Sequence, residues 1–436
     1  MKAARLDVER IEELRLAAGC EEIEVYLKKG RSRRLVRAAG VEQASEVAEQ
    51  GWAVRATAKR GSFFRSGTGE PEPGVDWPAA DGFPLRFPEP EDAPAWSPPA
   101  GMGSPLATDS EIRLLVVALE KELARTLPSA RIDHLVVEDG QSESVIGNSR
   151  GVLESWRGRA ATVTLEASAA PDRLARVRLE VVERELSEIS PKRLGRRLVD
   201  LLTVRHDGRP VTRDRSEIVV APRVGCSLLT GLAPLFDSRR SGDLLAALGS
   251  PRRLAGEALH VIDNGRLPAG MLAAPVDGEG TPTRETVLID SGAFRQPLLG
   301  WWEPRPGCQA GGCSRRSSWR DQPRLGPTHL YVKPDKNVAA GDIVGSLSRG
   351  YYLLDSAPQG HFDFGSDRFS LEVRGFEMLG GRVRGAVSGV RLVGRISALL
   401  AGVRAVGRDL AFFPASLCLV GSPTLLLGGL EIRKSP

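Results

Sequence analysis

Residues 275–292 read PVDGEGTPTRETVLIDSG, and the order of residue types in this stretch sets the expectation for the fold. Gly278, Gly280 and Pro282 fall together at a sharp bend, because glycine tolerates backbone angles that other residues avoid and proline fixes φ. Thr281 and Thr283 can cap that bend through their hydroxyls, and a buried strand is expected from Val287 onward. Outward from the bend, the second half of the chain keeps the same rhythm of short apolar segments punctuated by glycine: SEIVVAP, GEALHVID, THLYV, RFSLEVRGFEML and GVRLVG. Such a pattern predicts a strand-rich region with one or two helices.

The first half reads differently. Asp7–Ala18 spaces Val8, Ile11, Leu14 and Leu16 near the helical repeat among charges, and Gly19 follows as a stop. Glu21–Leu27 alternates polar and apolar, turns at Lys29-Gly30 and resumes, and GWAVRATAKRGSFFRSGTG repeats the style with a break at Arg60-Gly61, so antiparallel hairpins are expected. Residues 69–105 are crowded with Pro, Gly and acid and form a loop or arm. Thr108-Asp109 is a helix start ahead of SEIRLLVVALEKELARTL, and three strand-like runs follow: RIDHLVVEDG, SESVIGNSRGVLESWRG and ATVTLEAS. Ser190-Pro191 opens a second long helix with Leu194, Leu198, Leu201 and Leu202 along one side. The expected class is α+β. An N-terminal domain, 1–209, packs helices on a mostly antiparallel sheet and carries the arm 69–105; a strand-rich C-terminal domain spans 210–436.

Composition excludes several functions. With 436 residues, 41% hydrophobic and 26% charged, the chain has the ordinary balance of a globular protein, and neither disorder nor a membrane bundle fits. A net charge of +5, although 51 of the 60 basic residues are arginine, is too dilute for a nucleic-acid footprint. The arginines of 382–408 alternate with apolar residues and lack interleaved aromatics, the pattern of a solvated sheet face. The opening carries acid where a secretory signal needs an apolar core, so reduced thiols and a cytoplasmic location are expected, and the most apolar stretch, Leu417–Leu430, is too interrupted to span a membrane.

Chemistry-bearing motifs are equally sparse. His134, His206, His260, His329 and His361 are scattered, without a second ligand at helical spacing. Cys308 and Cys313, in GCQAGGCSRR, are at most half of a tetrahedral metal site or a redox pair. No GxSxG elbow and no phosphate-binding loop occurs.

Residues 275–292 resemble the D-[DE]-E-G-T-P-T-x-x-T-x-L-I-x-x-G signature of the TldD/TldE (PmbA) metallopeptidase family, once described as modulators of DNA gyrase. Collinear with it, GQSESVIGNSRGV, ISPKRLGRRLVD, SRRSSWRDQPRLGPTHLYV and VGSPTLLLGGLEI are similar to further family segments, the third of them in its TldD form. The resemblance implies a zinc peptidase whose TldD subunit holds the metal on H-E-x-x-x-H, with the carboxylate as general base and a further cysteine ligand near the C-terminus. Here VVAPRVGCSLLTGLAPLF places Thr230 where the first His belongs, Gly231 where the Glu belongs and Leu235 where the second His belongs, and Pro234 should end the helix. Cys418 lies too close to the final strand to be the cysteine ligand and reads as a small buried hydrophobe.

The resemblance therefore implies a TldE-like subunit without cofactor. It would pair as a heterodimer with a TldD-like subunit carrying zinc and form part of a cavity for unfolded peptide. Glu279, Gly280, Thr281, Pro282 and Thr283, together with Ser317, Trp319, Arg320 and Arg324, are the candidate substrate-facing residues. The alternatives are an enzyme with a metal site rebuilt from Cys308, Cys313 and His329, or a nucleic-acid-associated regulator.

Overall fold

The computed structural model describes all residues except 1–5, 60, 72–85, 94, 170–175, 212, 250–252, 269, 417 and 436. Arg60 of the expected hairpin break and residues 72–85 of the arm lie outside the described residues.

The first half is one antiparallel sheet of unusually long strands in the order β3-β2-β1-β4-β5-β6. These are β1 (Glu22–Ala38), β2 (Val41–Ala58), β3 (Gly61–Gly67), β4 (Ala130–Asn148), β5 (Leu153–Ala169) and β6 (Arg176–Glu183). The expected turn at Lys29-Gly30 does not exist, for β1 runs straight through it in register with Gln50 and Glu49. The chain reverses instead at Ala39-Gly40, both at positive φ (49° and 81°), the conformation that a two-residue hairpin turn demands. The three expected runs between 131 and 168 are likewise two strands: Gly140 and Gly158 lie inside the ladder, and the turn is at Ser149–Val152.

Three helices cover parts of one face. Helix α1 (Val8–Ala18) is capped by Asp7, stopped by Gly19 at φ 63° and buries Ile11 and Leu14. Helix α2 (Asp109–Thr126) begins with the reciprocal Thr108/Glu111 capping box. Helix α3 (Pro191–Asp207) begins with Ser190 and Pro191. Leu115, Leu119 and Leu123 of α2 and Leu194, Leu198 and Leu201 of α3 close over Leu135, Val137, Val163 and Leu165. Each fully buried leucine contributes roughly 1.5–3 kcal/mol. The described part of the arm is pinned to the sheet. Phe87 is buried with its N–H on the Glu22 carboxylate (2.8 Å), and the buried Asp139–Arg159 pair accepts from the Ala107 N–H and donates to the Pro105 carbonyl.

The second half is strand-rich as expected. A six-stranded sheet is centred on Val261–Asn264, His329–Val332 and Cys418–Ser422, and a nine-stranded sheet on Glu217–Val220, Arg349–Ser356 and Arg368–Leu379. Among the described residues it holds two helices of several turns, α4 (Pro222–Leu232) and α5 (Ser238–Ala247), and two short ones, α6 (Ala340–Gly345) and α7 (Ile396–Ala401). The last two are six residues each, too short for a helical repeat to show. The arginine-rich stretch 382–408 is the strand Arg382–Gly394, then α7, then the strand Val403–Val406.

The halves meet across a seam of buried charge. Glu24 and Arg55 face each other on β1 and β2, and the Arg55 guanidinium donates to Glu24 (2.9 and 2.5 Å) and to Glu279 of the 275–283 bend (2.9 Å). Arg316 donates to Glu24 and to the Gly278 carbonyl (2.8 Å). These four side chains are at most 2% exposed. Burial alone would raise the Glu24 carboxyl, yet Arg55 and Arg316 hold it below its ordinary value.

Arg55→Ala would leave two carboxylates buried without their shared cation. The expected loss is about 3–5 kcal/mol, read from the urea unfolding midpoint. Arg10→Ala, which breaks the exposed Arg10–Glu13 pair, should change it by less than about 1 kcal/mol. Equal, small shifts in both would show that the seam does not hold the halves together.

Candidate functional site

Three places were marked by sequence: the degenerate helix, the scattered thiols and imidazoles, and the glycine-threonine bend.

Helix α4 follows the buried strand Glu217–Val220, with Pro222 in its first turn and Leu228 and Leu229 in the core. Thr230 turns its hydroxyl back to the Cys226 carbonyl (2.8 Å), a bond within its own helix. At Gly231, a Cβ would stand 2.1 Å from the ring of Phe362, which stacks on Phe369 with centroids 5.4 Å apart. Leu235 is fully buried, and the helix tightens to 3₁₀ over Ala233–Phe236, where Pro234 removes a donor. A neutral hydroxyl turned back into its own helix is a poor zinc ligand, and a glycine covered by an aromatic ring and a buried leucine offer no ligand atom, so zinc does not fit these positions.

A rebuilt metal site from Cys308, Cys313 and His329 does not fit either. His329 is fully buried with both ring nitrogens engaged: Nδ1 donates to the Asn264 carbonyl (2.7 Å) and Nε2 accepts from the Leu272 N–H (3.2 Å). The Cys313 thiol donates to the Leu299 carbonyl (3.1 Å). Among the described residues, no group of three or more His, Cys, Asp or Glu is placed to hold a metal ion. Cys418 is half-buried against the core, donates to the Ala415 carbonyl (3.2 Å), and burial pushes its thiol up to about 12.

The bend is built around Asp277, whose carboxylate accepts from the N–H groups of Glu279, Thr281 and Ser314 (2.9–3.1 Å). Gly280 sits at φ 82° with Val152 of the first half 2.9 Å from where a Cβ would lie. The threonine hydroxyls tie the bend to neighbouring chain rather than capping its strand: Thr281 accepts from the Gly312 N–H (2.7 Å), and Thr283 donates to the Ala274 carbonyl. The strand itself starts at Glu285, and Val287 is one of its outward residues, because Thr286 and Leu288 take the buried face.

Glu279 accepts from Arg55 and from Ser314 (2.5 Å); burial, opposed by Arg55, raises its carboxyl. Hence Glu279, Gly280, Thr281, Pro282 and Thr283 lie together and buried in the seam. Trp319 is buried there as well, against the backbone of Gly51, with Arg320 stacked 3.8 Å above its ring. Ser317, Arg320 and Arg324 are exposed on the same segment, Ser317 donating to Asp321 (2.8 Å). Sequence reading missed Glu24, Arg55 and Arg316; the visible signal was a lone arginine inside the apolar run GWAVRATA.

A cleft of about 1210 Å³ lies across the strand His361–Asp363 from α4, lined among others by His361, Asp363 and Phe369. The strand His361–Asp363 separates the two, alternation sending Phe362 toward Gly231 and its neighbours into the cleft.

Residues 214–434 match the family described as the PmbA/TldA metallopeptidase C-terminal domain. In fold, the chain is similar to the crystal structure of TldE from Thermococcus kodakarensis, with a TM-score of 0.83 over 98% of this chain and 100% of that one at 16% identity. An uncharacterized protein of Methanocaldococcus jannaschii is 30% identical over 147 residues, 32% of this chain and 34% of that protein. A metalloprotease TldD homolog of Buchnera aphidicola is 26% identical over 134 residues, 30% and 27% of the two chains. The chain thus matches about a third of the length of these curated relatives.

Two outcomes follow from this geometry. Gly231→Glu should destabilise by about 1–3 kcal/mol through overpacking against Phe362, and adding Phe362→Ala should recover part of the loss in a thermal unfolding comparison; additive losses would refute the contact. The second concerns pH. Burial lowers His329 from 6.5 to about 4, so its stabilising neutral form is fully present above pH 6.5 and its contribution is lost as pH falls toward 4. Burial raises the nearby Asp263 carboxyl from 3.8 to about 6, so its contribution runs the other way and is lost as pH rises through that window. Asp263→Asn should therefore steepen the fall of the urea midpoint on acidification from pH 6.5 to 4, and an unchanged slope would contradict both assignments.

Proposed function

Because this chain belongs to the PmbA/TldA metallopeptidase family, we propose that it is a TldE-like, non-catalytic subunit completing a TldD/TldE-type peptidase that processes unfolded peptides. The observation that carries this reading is the Phe362 ring in the space next to Gly231, where the family resemblance places a catalytic carboxylate. Zinc would be held by a TldD-like partner in a cytoplasmic heterodimer. This chain would contribute wall and backbone to the substrate cavity, since main-chain pairing accepts an extended peptide of any sequence. Within that role the buried bend 279–283 sets the position of its neighbouring segment, and the exposed Ser317, Arg320 and Arg324 are the groups free to meet peptide. The unit 210–436 would carry these elements, and 1–209 would close over them.

The test is reconstitution. The isolated chain should not cleave an unfolded peptide such as reduced, denatured casein, whereas adding the H-E-x-x-x-H homologue from the same cell should give chelator-sensitive cleavage exceeding that of the homologue alone by tenfold or more. Chelator-sensitive proteolysis by this chain on its own would overturn the proposal.

A further inference from the structure

Away from the seam and Gly231, unanswered positive charge gathers where α3, the start of α4 and the strand Ala411–Ala415 meet. Arg197 of α3 holds its guanidinium carbon 4.9 Å from the centre of the Phe413 ring, and Arg223, in the first turn of α4, holds its own at 5.2 Å from the same centre. Phe413 is only 7% exposed, so the ring is a wall of the structure and not a loose side chain. Neither guanidinium has a hydrogen bond or a carboxylate within 4.0 Å among the described residues. The acid that acts on Arg197 from nearby, Asp355, is engaged by Arg374 at 2.9 Å. Burial already disfavours the charged form of Arg197, and Arg223 adds repulsion.

Further donors converge on the same place. Tyr352, half-buried, has a hydroxyl without a partner among the described residues; burial and the carboxylates of Asp409 and Asp200 hold its proton on, and Arg197 acts in the opposite sense. Helix α4 starts at Pro222 behind Ala221, which has no side chain to cap the first-turn amides. A guanidinium lying against an aromatic ring keeps its in-plane N–H groups directed outward, ready for a planar or tetrahedral oxyanion. Of the first-turn amides of α4 only the Arg223 N–H is left to donate, because Pro222 has none and the Val224 and Gly225 N–H groups donate to the Ala221 carbonyl (3.0 and 3.1 Å), so the helix start adds one donor and its dipole end.

We propose that the guanidinium groups of Arg197 and Arg223, with the Tyr352 hydroxyl and the Arg223 N–H at the start of α4, form an oxyanion site that takes a phosphate group. Because α3 follows the first sheet in the chain and also packs on the strands Arg368–Leu379 and Arg382–Gly394, while α4 and Phe413 belong to the second half, a bound phosphate adds to the contact between α3 and the second half. The site is independent of any peptidase role.

Isothermal titration with inorganic phosphate, against chloride at matched ionic strength, tests the site directly, and O-phosphoserine and acetate separate a free anion, a phosphorylated side chain and a simple carboxylate. Phosphate should bind in the millimolar range or tighter and raise the unfolding midpoint. Arg197→Gln and Arg223→Gln should each weaken it at least tenfold, Tyr352→Phe should weaken it less, and Arg382→Gln, exposed on the strand Arg382–Gly394, should leave it unchanged. Tighter binding of phosphoserine than of phosphate would identify a phosphorylated side chain as the source of the group. Phosphate acting no differently from chloride, acetate binding as well as phosphate, or an equal loss in Arg382→Gln would overturn the proposal. The wild-type titration decides even if an arginine variant fails to fold.

Discussion

Four charges buried between the two halves of the chain constrain nearly everything around them. Moving an ion out of water costs several kcal/mol even after relaxation, so Glu24, Arg55, Glu279 and Arg316 are tolerable only if all are present and each is hydrogen-bonded. That requirement fixes geometry. Glu24 and Arg55 can share a face only because β1 and β2 pair with Glu24 opposite Arg55, and a one-residue slip would turn them apart. Glu279 reaches Arg55 only because the bend is folded around Asp277 and turned by Gly280 at positive φ. The small residues at the contact have the same origin, since Gly51 admits Trp319 and Gly280 admits Val152. A seam of this kind adds less to stability than to uniqueness, because sliding it would strand charge in an apolar place.

How much of this was legible in the sequence depends on where the information resides. Helices α1, α2 and α3 carry local caps, namely Asp7, the Thr108/Glu111 box and Ser190-Pro191, and their starts are readable because capping is a short-range contest for backbone donors. Strand ends were not readable from glycine. Gly30, Gly140 and Gly158 lie inside the ladder of a long sheet, and the true hairpin turn at Ala39-Gly40 is marked only by a positive φ that nothing in the residue types near Lys29 excludes. The bend at 277–283 was recognisable as a bend but not as buried, because its burial comes from segments distant in sequence, the first-half residues Arg55, Ile146 and Val152 and the stretch Gly312–Trp319. For the same reason Arg55 and Arg316 could not be paired on paper: their partner carboxylates are brought together only by the meeting of the halves.

Helix α4 shows a different relation between sequence and structure. That Thr230, Gly231 and Leu235 are not zinc ligands is visible residue by residue, but how the space around them is used is a matter of packing. An empty polar pocket would have to hold water or remain a cavity, and a cavity costs in proportion to its volume. Here the volume is filled: Phe362 stacks on Phe369 and covers Gly231, Leu235 is fully buried, and Thr230 satisfies its hydroxyl within the helix. Because α4 is also a core element, with Val224, Leu228 and Leu229 in the central cluster and Gly225 against Ser422, the fold retains the helix for reasons unrelated to chemistry. Placing a carboxylate at Gly231 would therefore require moving the Phe362 ring from its stack on Phe369. The closed packing of α4 is supported by several contacts at once and is not undone by any one substitution.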